Sequence, residues 1–141
     1  MPDPLTLDQL QARLAGLPPD APLTFAAPRG ATQGAWHITR ISFARLSHLD
    51  CDGGAASGVE TRIEVMDVGA GDPMTVARGL SILGKGRAVA DDAGTAPLRV
   101  LFGPGGAGLS VHTATGVDGD GAVRLTPLSA RCRPAEARRC C

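Results

Sequence analysis

The chain has no tyrosine, one tryptophan and three phenylalanines, so aromatics are only 3% of its 141 residues. A core with so few large rings must be filled by Val, Leu, Ile and Ala. No apolar run approaches the roughly 20 residues that a membrane-crossing helix needs. Charge of one sign is also missing, because 14 basic residues face 14 acidic ones. A neutral chain lacks the field that gathers phosphates, so neither nucleic acid nor a membrane is an expected partner. The N-terminal stretch MPDPLTLDQLQARL has no basic segment leading into an apolar one, unlike a secretory signal. The expected location is therefore the cytoplasm. Thiols stay reduced there, so four cysteines point to metal, metalloid or redox chemistry before structural disulfides.

What is present is 43% hydrophobic, enough for one core, with Gly 19 and Pro 11 marking many turns. Thr6 and Gln9 have capping-box spacing, with Leu5 and Leu10 placed as a hydrophobic staple. Leu7, Leu10 and Leu14 form a helical stripe that Pro18, Pro19 and Pro22 terminate. Residues 23–25 make a short strand. Trp36 to Cys51 reads as a long strand whose apolar phase changes between Ile38 and Ile41, which predicts a bulge. Cys51 then falls on the apolar phase and is expected to be partly buried. Asp52, Gly53 and Gly54 signal a turn, with 55–58 as loop, and Glu60 to Val68 as the antiparallel partner strand.

Asp72 is the expected cap of a second helix, with Pro73 in its first turn and Leu83 near its end. Strands follow over 98–102, 109–116 and 122–128. The last two are joined by a hairpin turn at Asp118 to Gly121. The glycines of 103–108 have no Lys-Ser/Thr after them and read as a hairpin loop rather than a phosphate cradle. The expected fold is α+β, a mainly antiparallel sheet of about five to six strands with two helices packed on one face. Residues 1–128 form one domain in this reading, and 129–141 a cysteine- and arginine-rich tail.

That tail, SARCRPAEARRCC, carries the chemistry. Cys140 and Cys141 are adjacent, Cys132 lies eight positions earlier, and Arg131, Arg133, Arg138 and Arg139 surround them. Neighbouring cations favour thiolate over thiol, and thiolate binds soft ions. Adjacent cysteines make a strained disulfide with each other, so a shared ion such as Cu(I), Zn(II) or trivalent arsenic or antimony suits them. The spacing is not that of a CxxC zinc site. The bland alternative is an incidental tail. Cys51 joins the site only if the tail packs back over the strand end. His37, His48 and His112 show no paired ligand spacing.

His37 with Ile38 and Thr39, Asp50 and Cys51 followed by Gly53 and Gly54, the strand from Glu60 to Val65, Met74 with Thr75, and Cys132 together resemble an uncharacterised bacterial family. That family is a domain of unknown function often encoded beside arsenic-resistance genes. The resemblance runs from the first helix to Cys132. This chain departs from the family in placing Asp52 before the glycine pair and in lacking an aromatic shortly after it. The resemblance implies an accessory protein in arsenic or metal stress, with His37, Cys51 and Cys132 at the family's recurring polar positions. The expected function is binding of a soft metal or metalloid, trivalent arsenic first and zinc as another candidate, through Cys132, Cys140 and Cys141, with Cys51 or His37 completing or shielding the site. Sequestration, sensing or delivery is expected rather than catalysis. A protein-interaction module that touches a protein partner, or a thiol redox protein, remain the alternatives.

Overall fold

The computed structural model describes residues 2–28, 35–67, 71–103 and 108–136. In chain order it runs α1 (Leu7–Ala15), β1 (Thr24–Ala26), β2 (Trp36–Leu49), β3 (Ala55–Asp67), α2 (Val76–Arg87), β4 (Leu98–Gly103), β5 (Ser110–Val117), β6 (Ala122–Pro127) and α3 (Arg133–Glu136). The six strands form one sheet in the order β1-β6-β5-β4-β3-β2. The fold is α+β, but the sheet is mixed rather than mainly antiparallel. β1 lies parallel to β6 and β3 parallel to β4, while the other three pairings are antiparallel. The β3–β4 pairing follows from α2 between them, because a helical crossover returns the chain to the end where it started.

The capping box of α1 forms as its spacing predicts: Thr6 Oγ1 accepts from the Gln9 amide at 3.3 Å and Gln9 Oε1 from the Thr6 amide at 2.9 Å. The second helix begins later than its sequence suggests. Thr75, not Asp72, is its cap, accepting from the Arg78 amide at 3.2 Å. The residues before it are held extended, since the Leu23 amide donates to the Met74 carbonyl at 2.7 Å and Met74 is buried. The helix also ends later, at Arg87 rather than Leu83, with Gly84 and Gly86 inside it. Gly86 is fitted there because a Cβ would run into Ile41 on β2.

Leu7, Leu10 and Leu14 of α1 and Val76 and Leu83 of α2 belong to the same buried cluster as Trp36, Ile63, Val65, Val100 and Phe102. Each fully buried large side chain in it is worth about 1.5–3 kcal/mol relative to exposure. Trp36 and Phe102 are in tilted ring contact, with centroids 4.4 Å apart. The bulge expected in β2 is present: Ile38 faces Val65, Arg40 faces Glu64, and Thr39 is the extra residue. It resets the alternation so that Ile38 is buried and Ile41 packs against the same cluster.

Beyond Phe43 and Thr61 the β2–β3 ladder continues from Ala44↔Glu60 to Leu49↔Ala55, although β4 begins at Leu98 opposite Thr61. Residues 44–60 therefore form a two-stranded arm, and 55–58 are strand rather than the expected loop. Among the described residues no helix is long and apolar enough to cross a membrane.

Candidate thiol site

The tip of the arm is a three-residue loop. The Gly53 amide donates to the Asp50 carbonyl at 3.0 Å, and the Asp50 amide to the Gly54 carbonyl at 2.8 Å. Gly53 has φ +85°, the left-handed position that closes this kind of hairpin. Asp at the first turn position and Gly at the fourth are what a type I turn favours. Asp52 Oδ1 accepts from the Gly54 amide at 2.9 Å, tightening the same turn. Cys51 is thus a turn residue and is exposed. The burial predicted from strand alternation fails because the alternation stops at Leu49.

The tail reaches this tip. The Leu128 amide donates to the Val111 carbonyl at 2.9 Å, which extends β6 by one residue before the chain leaves the sheet. Four residues later the sulfur of Cys132 lies 3.8 Å from that of Cys51. Four residues span at most about 14 Å. A straight arm would carry Cys51 roughly 25 Å beyond the first residue of β4, away from Val111. The arm therefore curls back, as strongly twisted two-stranded ribbons do. The Glu136 amide donates to the Cys132 carbonyl at 3.2 Å, so the single turn of α3 follows directly on the cysteine.

Leu49, Asp50 and Cys51 from the arm and Ala130 to Pro134 from the tail line an open cleft of about 500 Å³. Leu49 is 77% exposed there, an apolar flank beside the two sulfurs. Next to it, Arg99, Val111 and Leu128 with Arg131 and Arg133 line a second cleft of about 380 Å³. Arg99 and Val111 alternate along their strands with the core residues Leu98, Val100 and His112, so they point away from the core.

Of the five candidate ligands, the structure brings together Cys51 and Cys132. Cys140 and Cys141 lie outside the described residues. His37 sits opposite Met66 at the other end of the β2–β3 ladder, some 13 strand positions from the tip. Among the described residues it belongs to no group of three His, Cys, Asp or Glu that could hold an ion. His48 stands on the arm against Gly58, and His112 is buried, its Nδ1 3.2 Å from the Ser110 carbonyl. The glycine run of 103–108 falls mostly outside the described residues.

Two thiolates fit one edge of a soft-ion site. With metal–sulfur bonds near 2.3 Å and tetrahedral angles, the sulfurs stand about 3.8 Å apart. Among the described residues no group of three His, Cys, Asp or Glu is gathered, so these two sulfurs supply an edge and not a closed shell. The arginines at 99, 131 and 133 were not assigned together by the sequence; only the two that flank Cys132 were visible as its neighbours. No family model, no curated protein and no solved structure matches the chain, and its reading rests on this geometry.

Proposed function

We propose that the chain binds a soft metal or metalloid ion, trivalent arsenic first, between the Cys51 and Cys132 thiolates, as an accessory protein in arsenic or metal stress. In this reading α1 and α2 cover the apolar face of the sheet, and the tail crosses the opposite face to meet the arm. The observation that carries the proposal is the 3.8 Å approach of two exposed sulfurs that are 81 positions apart in sequence. Trivalent arsenic takes three thiolates and zinc four, so the pair is completed by the tail cysteines Cys140 and Cys141 or by the sulfur of a bound thiol. A reducing compartment such as the cytoplasm keeps the thiols available. The role is sequestration, sensing or delivery.

The test is titration of the reduced full chain with arsenite and, separately, zinc. Binding is read by thiolate ultraviolet absorption and native mass spectrometry. One ion per chain is expected in the wild type, with Cys51→Ser and Cys132→Ser each abolishing tight binding. Unchanged stoichiometry and affinity in Cys51→Ser would remove the arm from the site and with it the proposal. The same pair also suits a thiol redox role, since sulfurs in van der Waals contact need little movement to bond. A protein that binds no ion but cycles its Cys51–Cys132 pair with a disulfide substrate would replace the first reading.

A further inference from the structure

We infer that the cleft of Arg99, Arg131 and Arg133 binds the carboxylates of a small anionic thiol and presents its sulfur to the Cys51–Cys132 pair. This deepens the soft-ion reading and rests on it for the role of the sulfur, though not for the binding of the anion. The cleft and the thiol cleft share Ala130, Arg131 and Arg133, so they adjoin along the tail. Arg131 and Arg133 line both clefts, so the anion site borders the cleft that holds Cys132.

The local charge favours an anion. Glu60 is shared between Arg62 at 2.6 Å and Arg99 at 3.5 Å, and Glu136 meets Arg131 at 3.5 Å. Arg133 has no carboxylate partner among the described residues. Arg62, Arg99, Arg131 and Arg133 thus stand against Glu60, Glu136 and Asp50 of the adjoining thiol cleft, four guanidiniums to three carboxylates. Arg99 is the anchored member, its side chain only 22% exposed beneath the tail. Guanidinium groups prefer planar, bidentate partners, which carboxylates provide.

Size and stoichiometry select the ligand class. Each of the two clefts, about 380 and 500 Å³, is on the scale of small-molecule sites and larger than a single inorganic oxyanion needs. Among the described residues the protein offers two sulfurs to an ion that takes three. A tripeptide-sized thiol held by its carboxylates brings a third sulfur without any redox step: its sulfur replaces a hydroxide on trivalent arsenic, and that hydroxide leaves as water with the thiol proton.

The first arm of the test titrates the reduced full chain with S-methylglutathione, which keeps the carboxylates but has no free thiol. Amide shifts are followed by two-dimensional NMR. Saturable shifts at Arg99, Val111, Arg131 and Arg133 are expected. Affinity should fall by about tenfold or more in Arg133→Gln, the loss typical of a charge-assisted contact. Arg99→Gln is a second variant, but Arg133 is exposed, so its substitution separates lost binding from lost folding. No saturable shifts, or equal affinity in Arg133→Gln, would overturn the anion site. Inorganic phosphate binding as tightly as S-methylglutathione would overturn the thiol-ligand class.

The second arm adds arsenite with reduced glutathione. A complex of one chain, one arsenic and one glutathione is expected by native mass spectrometry, lost in Arg133→Gln while arsenite alone still binds. Arsenite binding that never includes glutathione would overturn the shared site. A wild type that binds S-methylglutathione but not arsenite would sink the soft-ion reading and leave the anion site standing.

Discussion

Mild oxidation should join Cys51 to Cys132, and the size of the effect follows from their separation. The sulfurs are 3.8 Å apart and must approach to about 2.05 Å. The movement needed, under 2 Å, falls on a hairpin tip whose neighbour Leu49 is 77% exposed, so the core is not disturbed. The bond would close a loop of about 82 residues, for which chain entropy gives an upper figure of about 4.5 kcal/mol. At roughly 2.1 cal/mol/K of unfolding entropy per residue, a chain of this length would gain about 10–15 °C in Tm. Residual strain at the tip would reduce the gain. The assay uses a Cys140→Ser, Cys141→Ser double variant, which leaves only this pair. Diamide-treated and reduced samples are compared by thermal melting, with peptide mapping of the cross-link. A mapped Cys51–Cys132 bond with a Tm rise of several degrees is the expected result. Failure to cross-link within the monomer, or a Tm unchanged by the mapped bond, would refute the placement of the tail against the arm.

Other substitutions test the fold that carries this site. Gly86→Ala should destabilise by about 1 kcal/mol in urea unfolding, because overpacking of about 1–3 kcal/mol against Ile41 outweighs the helix-propensity gain. Gly84→Ala, whose Cβ would make only an ordinary contact 3.8 Å from Gln11, should instead stabilise by about 0.5–1 kcal/mol. If both glycines respond alike, the close approach of α2 to β2 is wrong. Gly53→Ala and Gly121→Ala compare two hairpins of the same design, at φ +85° and +92°. Gly53 faces open space, so only the backbone term of about 1–2 kcal/mol applies. A Cβ on Gly121 would also meet the Pro22 carbonyl, and that variant should lose clearly more in a thermal melt. Asp8→Ala removes the ion pair with Arg87, with contacts of 2.8 and 3.3 Å, which joins α1 to α2. Both side chains are more than a third exposed, so the loss should stay below about 1 kcal/mol and shrink further in high salt.

Local signals in this sequence were reliable wherever one short-range rule decided the outcome. The box of Thr6 and Gln9, the bulge beside Ile38 and the turn at Asp118 to Gly121 each depend on fewer than six neighbouring residues, and each forms. The start of α2 misled because Asp72 with Pro73 is a sound cap signal in isolation. A tertiary demand won, since Met74 had to be buried and its carbonyl had to receive the Leu23 amide. The mixed sheet was partly within reach: a helix between the strands at 60–68 and 98–102 already implies a parallel pair. The pairing of β1 with β6 joins residues 98 positions apart, and no local pattern specifies it.

The thiol pair falls between these cases. Its turn is written at Asp50 to Gly53, where the D-x-D-G pattern repeats that of the hairpin turn at Asp118 to Gly121. Treating Asp50 to Gly53 in the same way would have taken Cys51 off the strand and out to an exposed tip. The curl of the arm was not written in any short segment. It arises where β4 stops pairing with β3 at Thr61 and leaves a ribbon free to twist. The arginine cleft depends instead on the path of the tail, because Arg99 shares it with Arg131 and Arg133 only when the tail lies across its strand. Sequence spacing alone pointed to the three tail cysteines. Folding adds what the spacing left conditional, by bringing Cys132 to 3.8 Å from Cys51 at the tip of the arm.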